Sequence, residues 1–395
     1  MNSFDTTQRL SLTDNKVTEI TEIEQTSINL SSSSSSSLSS TLSEPELIQN
    51  FTNIKNSELI INKNLILNIT DYENYKPLPD SDLNNYDKII CTLITNENYL
   101  HGLINLNYSL KLVNSKYPLI ALYTPNLINN LKFQKKLDSL NIKKLKINYL
   151  NPLISKNYEI DTRFNDCWTK LQAFSLFNFK KIILLDSDMI ILKNFDELMD
   201  LKLSENNKVF AASHACLCNP FKKSHYPKNW HKLNCKHTLD KDNEDNDENE
   251  YEYEDLHLCN SGLLVIDPLP EYYELILKAL NNEEKTKNYI FPDQDLISDI
   301  FKGKWLSLSY IYNCLKTFNL IHKDIWDINE IKIIHYILTP KPWNLLKNDY
   351  SNELIDNQIE KGNGNEKTNK KFNDDTETFK YWFDIDNKRL LDKSN

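Results

Sequence analysis

The sequence predicts an α/β fold whose central sheet is mostly parallel and flanked by helices. From residue 88 onward, strand-like apolar runs alternate with segments of helical apolar spacing, which is the pattern of successive strand–helix units. The run from Ile182 to Leu185 is apolar without interruption and is bounded by charge. A strand that is covered on both faces needs such a run, so this strand is predicted to be central.

The elements can be placed along the chain from these patterns. The predicted strands cover residues 89–94, 118–123, 142–150, 180–185, 209–213, 263–267 and 331–336. The predicted helices cover residues 97–113, 127–140, 168–177, 270–280, 293–301 and 379–391. Right-handed crossovers are expected to connect the parallel strands.

The composition divides the chain into a folded domain and polar flanks. Residues 1–45 are rich in Ser and are predicted to form a disordered tail, because they cannot bury enough apolar surface. Residues 46–87 form an extension without a clear period, and residues 88–350 form the main domain. An acidic insertion at about 238–255 is expected to be disordered. Residues 351–378 read as a linker, and residues 379–395 as a terminal helix that docks back.

Charge and hydropathy exclude several classes of protein. The formal net charge of −10 argues against a nucleic-acid binder. No apolar stretch reaches the about 18 residues that a membrane-spanning helix needs. The polar N-terminus lacks the pattern of a signal peptide, so a cytoplasmic location is expected. The seven cysteines are then expected to be reduced thiols.

The segment Asp186-Ser187-Asp188 directly follows the central strand. Side chains two apart in extended backbone point to the same side, and open α/β sheets bind ligands beyond the carboxyl ends of their strands. Two converging carboxylates repel each other unless a cation lies between them. Mg²⁺ and Mn²⁺ prefer such oxygen ligands and commonly keep phosphates as further ligands. The segment therefore predicts a metal–diphosphate site; the alternative is a polar turn.

Glycine is scarce, and no G-x-G-x-x-G or P-loop pattern is present. A diphosphate would therefore have to be bound by a metal and by cationic side chains. His335 and Lys341 suit these roles, because a neutral imidazole completes a metal site and a lysine reaches phosphate oxygens. The alternative for His335 is a late-strand histidine with no ligand.

Six short motifs together resemble the glycogenin-like family 8 glycosyltransferases, in order and in approximate spacing. They are TLITNENY (92–99), TKLQAF (169–174), LLDSDMIIL (184–192), CNSGLLV (259–265), DQDL (293–296) and HYILTPKPWN (335–344). This resemblance implies a GT-A (Rossmann-like) nucleotide-sugar transferase fold for residues 88–350. It also implies Mn²⁺ (or Mg²⁺) as cofactor, a UDP-sugar as donor and transfer with retention of configuration.

The resemblance also implies roles for individual residues. The metal ligands would be Asp186, Asp188 and His335. The catalytic candidates are Asp293, Gln294 and Lys170, which would lie near the transferred sugar. The donor-binding candidates are Leu93, Thr95, Asn96, Tyr99, Arg163, Lys170, Asp186, Ser187, Asp188, Asn260, Ser261 and Lys341. For Asn96 a helix N-cap is the plain alternative, and for Gln294 an exposed position in a first helical turn.

Two departures from the family pattern affect the diphosphate and sugar regions. The family usually has Gly between the metal-binding histidine and the lysine, where this chain has Leu338 followed by Pro340. The segment that corresponds to the family's G-G-D-Q-G loop is residues 291–295, which is bulkier. Neither change removes a predicted metal ligand.

The segment 214–237 carries several cysteines and histidines. They are His214, Cys216, Cys218, His225, His231, Cys235 and His237, with Cys259 further on. Thiolate and imidazole groups can bind Zn²⁺, but the segment has no C-x₂-C pair and its spacing fits no standard zinc finger. The sequence therefore favours a structural or acceptor-shaping loop over zinc.

The predicted activity is hexosyl transfer from a UDP-sugar to a sugar, polyol or protein acceptor. Self-glucosylation of a tyrosine and galactosyl transfer to a polyol, as in the galactinol synthases, both stay open, as does a homodimer. Retention could arise by double displacement with Asp293 as nucleophile or by same-face attack. One rival is an inactive scaffold that binds UDP-sugar. Another is a HAD-like phosphatase, although that class has Thr where Ile190 stands.

Overall fold

The computed structural model describes residues 83–152, 158, 162–238, 257–345 and 377–392. The predicted Ser-rich tail, most of the extension at 46–87, the acidic insertion and nearly all of the linker lie outside the described residues. The described residues all belong to one compact unit of the chain.

A seven-stranded sheet forms the centre of the described part and confirms the predicted α/β class with a mostly parallel sheet. Its strands lie in the order β3-β2-β1-β4-β7-β6-β8. They are β1 (Lys88–Ile94), β2 (Leu119–Tyr123), β3 (Lys143–Lys146), β4 (Lys181–Leu185), β6 (Phe210–Ser213), β7 (Leu263–Ile266) and β8 (Trp305–Leu308). Strand β7 is antiparallel to both β4 and β6, and the other neighbours are parallel.

Strand β4 is buried on both faces, as its apolar run predicts. Ile182 and Leu184 pack into one apolar cluster, whereas Ile183 and Leu185 pack into a second. This division follows from the alternation of side chains along a strand. Every residue of β4 is buried, so the strand fixes the position of the polar residues that follow it.

Helices cover both faces of the sheet. The α-helices are α1 (Leu100–Leu112), α2 (Leu131–Ser139), α3 (Pro270–Leu280), α4 (Glu283–Thr286), α5 (Pro292–Ile300), α6 (Phe318–Ile321) and α7 (Phe379–Leu391). Shorter 3₁₀ segments are Leu83–Asn85, Glu97–Tyr99, Pro125–Leu127, Thr162–Asn165, Cys167–Ser175, Asp196–Asp200, Ser204–Asn206, Lys232–Asn234, Tyr310–Tyr312 and Pro342–Asn344. The segment predicted as a helix at 168–177 is thus a 3₁₀ helix, and the strand predicted at 142–150 is shorter than expected.

A second sheet of three short strands was not predicted. It contains β5 (Met189–Ile191), β9 (Cys314–Leu315) and β10 (Ile333–His335), in the order β5-β10-β9. Strands β10 and β5 are antiparallel, with His335 opposite Met189. The backbone N–H of Tyr336 donates to the carbonyl of Asp188 over 2.9 Å. This pairing places His335 beside the acidic segment that follows β4.

Helix α7 packs against the segment that leads from His335 to Lys341. The Phe379 ring lies 5.6 Å from the Tyr336 ring, and the Trp382 ring lies 6.0 Å from the Trp343 ring. The hydroxyl of Tyr336 donates to the carbonyl of Thr378 over 3.0 Å. The apolar residues near the end of the helix take less part in this packing, since Leu390 is 51% exposed.

Candidate active site

The candidate site lies at the edge of the large sheet that is formed by the carboxyl ends of its parallel strands. The carboxyl ends of parallel β1 and β4 reach this edge, and so does the amino end of β7, because β7 runs in the opposite direction. Asp186 and Asp188 follow β4, and Asn260 precedes β7. The backbone N–H of Asp186 donates to the carbonyl of Gly262 over 2.8 Å, which ties these two segments together.

Asp186, Asp188 and His335 form a group of potential metal ligands. Their ligand atoms all lie within 4.8 Å of one another. The Nε2 atom of His335 is 3.2 Å from Oδ1 of Asp188 and 3.5 Å from Oδ2 of Asp186. Two carboxylates and an imidazole match the donor preferences of Mn²⁺ and Mg²⁺. The side chains therefore fit the predicted divalent ion.

A chain of amide groups orients the imidazole of His335. The side-chain amide of Asn313 donates to Oδ1 of Asn260 over 2.8 Å. Oδ1 of Asn313 therefore faces Nδ1 of His335, at 2.9 Å, and must accept a hydrogen bond from it. In the neutral ring this leaves the lone pair on Nε2, directed at the two carboxylates. Such an arrangement is stable when a cation lies between them.

Asn313 was missed by the sequence analysis. It is buried, with 2% of its surface exposed, and it lies just before β9. A single Asn between Tyr312 and Cys314 gives no pattern that would mark it. Its role depends on a neighbour 22 positions away in sequence.

Lys170 links the acidic segment to helix α5. Its ammonium group is 2.8 Å from Oδ1 of Asp186 and 3.1 Å from Oδ2 of Asp293. Burial alone would lower the pKa of Lys170, but the two carboxylates raise it well above its usual value. Lys170 therefore stays charged and fixes both acids in place.

The two aspartates of the acidic segment differ in their electrostatic surroundings. Burial raises the pKa of Asp186, against the lowering effect of Lys170. Burial would also raise the pKa of Asp188, but Lys341 and His335 outweigh it and hold that pKa below its usual range. Lys341 pairs with Asp188 and donates to the carbonyl of Tyr336 over 2.7 Å.

The structure brings nearly all of the predicted site residues to one cleft, of about 1720 Å³. Those that line it are Leu93, Thr95, Asn96, Tyr99, Lys170, Asp186, Ser187, Asp188, Asn260, Ser261, Asp293, Gln294, His335 and Lys341. Asn96 also caps the Glu97–Tyr99 helix, through Oδ1 and the N–H of Asn98 at 3.1 Å. Gln294 is buried rather than exposed. The side chain of Arg163 lies outside the described part.

Two glycines allow close approach at this site. A Cβ atom on Gly262 would lie 2.4 Å from Cε1 of His335, and one on Gly102 would lie 2.3 Å from the carbonyl oxygen of Ser187. Real Cβ atoms do not approach other atoms so closely. Gly262 thus makes room for the imidazole, and Gly102 lets α1 reach the acidic segment.

Leu338 stands where the family usually has Gly, and its backbone has a φ of 64°. This left-handed backbone conformation is strained for any residue other than Gly. Leu338 therefore differs from the family's Gly in its side chain but keeps the backbone conformation that Gly favours.

Comparison with known proteins identifies the family. Residues 90–347 match the model of Glycosyl transferase family 8. The chain belongs to glycosyltransferase family 8. It is therefore a glycosyltransferase, and the HAD-like phosphatase alternative is wrong. The GT-A fold implied by the resemblance agrees with the observed sheet.

The similar proteins include one from a virus and several from plants. An uncharacterised protein, R707 of Acanthamoeba polyphaga mimivirus, is 31% identical over 66% of this chain and 84% of its own length. Galactinol synthase 4 of Arabidopsis thaliana is 24% identical over 64% of this chain and 72% of its own.

Solved structures of glycosyltransferases are similar as well. An active-site mutant of LgtC matches with a TM-score of 0.47 and 15% identity, over 68% of this chain and 94% of the other. The bifunctional glycosyltransferase WbbM matches with a TM-score of 0.46 and 18% identity, over 69% of this chain. This chain spans only half of the WbbM chain. Within the described residues of this family 8 chain, no helix has the length and apolarity to cross a bilayer.

Proposed function

We propose that this family 8 enzyme transfers a hexosyl group from a UDP-sugar to an acceptor hydroxyl, with retention of configuration and dependence on Mn²⁺ (or Mg²⁺). The observation that carries the proposal is the convergence of Asp186, Asp188 and His335, whose ligand atoms lie within 4.8 Å of one another. The motif resemblance and the family match support the choice of donor.

The donor would lie along the cleft beside the ends of β1 and β4. We place the uridine against Leu93, Thr95, Asn96 and Tyr99, all of which line the cleft. The Tyr99 ring packs edge-on against Trp343, with ring centroids 5.8 Å apart. This contact restrains the aromatic wall on which a base would rest.

The diphosphate would lie between the acidic segment and Lys341. A divalent ion held by Asp186, Asp188 and His335 would act as a Lewis acid that neutralises charge on the leaving UDP. Lys341 is buried next to Asp188, and its ammonium group would contribute fixed positive charge there. Such preorganised charge commonly supplies a large share of catalysis.

The transferred sugar would lie near Asp293 and Gln294, in the first turn of α5, with Asn260 and Ser261 opposite. Asp293 is buried and held by Lys170 at 3.1 Å. Both the double displacement through Asp293 and the same-face route stay open. Peptide mass spectrometry of enzyme incubated with donor alone tests the first route, because only double displacement forms a glycosyl–Asp293 ester; a hexosyl group on a tyrosine would instead show self-glucosylation.

For the acceptor, the names of the relatives favour galactosyl transfer to a polyol. Six of the similar proteins are called galactinol synthases. Next to helix α5 the cleft is lined by Tyr226, Trp230 and Phe291. These aromatic rings suit an apolar ring surface of a sugar or cyclic polyol. We also propose a cytoplasmic location, supported by the seven cysteines, none of which is in a disulfide in the structure.

The test is UDP release by the purified full chain with UDP-glucose, UDP-galactose or UDP-N-acetylglucosamine over a panel of sugars and polyols. Activity should vanish with EDTA and return with Mn²⁺. Asp188→Asn should lower the rate by at least about 100-fold, whereas Asp138→Asn, at an exposed carboxylate that does not line the cleft, should not. The anomeric configuration of the product is read by NMR.

Donor binding without turnover on any acceptor would instead support the inactive scaffold.

A further inference from the structure

A second group of metal-ligating side chains lies outside the acidic segment. It consists of Cys216, Cys218, Cys235 and His322, whose ligand atoms all lie within 4.8 Å of one another. The three cysteines belong to the segment for which the sequence favoured a structural or acceptor-shaping loop over zinc. His322 follows helix α6 and is 87 positions from Cys235, so no sequence motif connects them.

The distances in this group match a tetrahedral site. Nε2 of His322 lies 3.5, 3.3 and 3.6 Å from the sulfur atoms of Cys216, Cys218 and Cys235. The sulfur atoms of Cys216 and Cys235 are 3.9 Å apart. A zinc ion with usual bond lengths and tetrahedral angles would set S···N at about 3.6 Å and S···S at about 3.8 Å. The side chains are therefore spaced to share one ion.

The local backbone explains how the ligands converge. Residues 215–218 alternate between buried and half-buried, which is the pattern of extended backbone with Cys216 and Cys218 on the same side. Ala215 and Leu217 are buried in an apolar cluster with Trp230 and Cys235, and Cys216 and Cys218 pack against the same cluster. His322 is 1% exposed, and its ring packs 4.8 Å from that of Phe318. The four ligands are thus held by packed neighbours.

We propose that Cys216, Cys218, Cys235 and His322 bind one Zn²⁺ in a closed, structural site. Three thiolates and one imidazole form a donor set that zinc commonly has in structural sites, with no position left for water or substrate. This set differs from Asp186, Asp188 and His335, whose oxygen-rich donors suit a harder ion. The two groups therefore select different metals.

The zinc would join the cysteine-bearing segment to helix α6. From this segment, Trp230 stacks on Phe291 with ring centroids 4.9 Å apart, and Tyr226 packs on the same ring at 5.0 Å. Phe291 precedes α5, which carries Asp293 and Gln294. The zinc site therefore supports one wall of the cleft, which Cys216 itself lines.

The first experiment measures metal in the full chain as purified. Elemental analysis should give about one zinc per chain, and zinc X-ray absorption should show three sulfur neighbours at about 2.3 Å and one nitrogen neighbour at about 2.0 Å. Asp188→Asn, which weakens the other metal site, should keep its zinc. A zinc shell of oxygen and nitrogen alone would overturn the proposal, and so would a Cys216–Cys235 disulfide found by mass spectrometry.

The second experiment uses variants and a matched control. Cys218→Ser and His322→Ala should each lose most of the bound zinc and unfold at lower temperature. His231→Ala, an exposed histidine of the same segment outside the group, should keep both zinc and stability. If the variants fail to fold, cobalt substitution of the wild-type chain still decides, through the visible bands of a tetrahedral thiolate complex. Full zinc in both variants, or a wild-type chain that takes up neither zinc nor cobalt, would refute the site.

Discussion

Replacing Gly262 by Ala tests whether the position of His335 sets metal affinity. The backbone of Gly262 lies outside the left-handed region, so Ala is allowed there on conformational grounds. The added Cβ, however, would lie 2.4 Å from Cε1 and 2.7 Å from Nδ1 of His335. Non-bonded carbon atoms keep about 3.5 Å apart, so the imidazole must move by about 1 Å.

A shift of that size is large for a metal ligand. Ligand distances in metal sites hold within about 0.2 Å, and the hydrogen bond from Nδ1 to Asn313 would be lost at the same time. Loss of such an orienting contact commonly costs about 10–100-fold in metal affinity, or about 1.4–2.7 kcal/mol. The concentration of Mn²⁺ that gives half-maximal UDP release should rise by this factor.

The assay is a Mn²⁺ titration of UDP release after removal of metal by EDTA. High Mn²⁺ should restore most of the activity of Gly262→Ala, because the three ligands are still present. Gly303→Ala serves as control: Gly303 has a φ of 73° and no neighbour that a Cβ would meet, so it should lose about 1 kcal/mol of stability but keep its Mn²⁺ dependence. An unchanged midpoint for Gly262→Ala would refute the argument that this glycine makes room for a metal-binding imidazole.

Three further substitutions test the surroundings of the site. Asn313→Ala should weaken Mn²⁺ binding by about 10-fold or more, because His335 loses the acceptor that fixes its ring. The same titration measures this effect, and an unaltered midpoint would mean that packing alone orients the ring. Trp382→Ala should lower the free energy of unfolding by about 3–5 kcal/mol, since the side chain is 1% exposed. Denaturant titration measures this loss, and a loss below about 1 kcal/mol would show that α7 is not firmly packed. Leu338→Gly should raise the thermal midpoint of unfolding slightly. Relief of about 1–2 kcal/mol of left-handed strain exceeds the cost of the added entropy of the unfolded chain, about 0.5–1 kcal/mol. A lower midpoint would show that packing of the leucine side chain contributes more than the strain costs.

Much of the site could be predicted because its parts are local in sequence. The apolar run of β4 is followed at once by Asp186 and Asp188, so the strand and its polar end are visible together. The chemistry of a diphosphate site pointed to His335 and Lys341, and the six motifs added Lys170; all three line the same cleft. Their individual roles stay predictions until variants are assayed.

The sequence by itself determined the order of the main strands and helices, because apolar periodicity records which faces of each element are buried. It could not give the antiparallel direction of β7 or the pairing of β10 with β5, since neither depends on periodicity within one segment. Those pairings decide which distant residues become neighbours. The pairing of β10 with β9 brings Asn313 to His335, and the packing of α6 brings His322 to the three cysteines. Contacts of this kind arise only when the strands and helices have assembled.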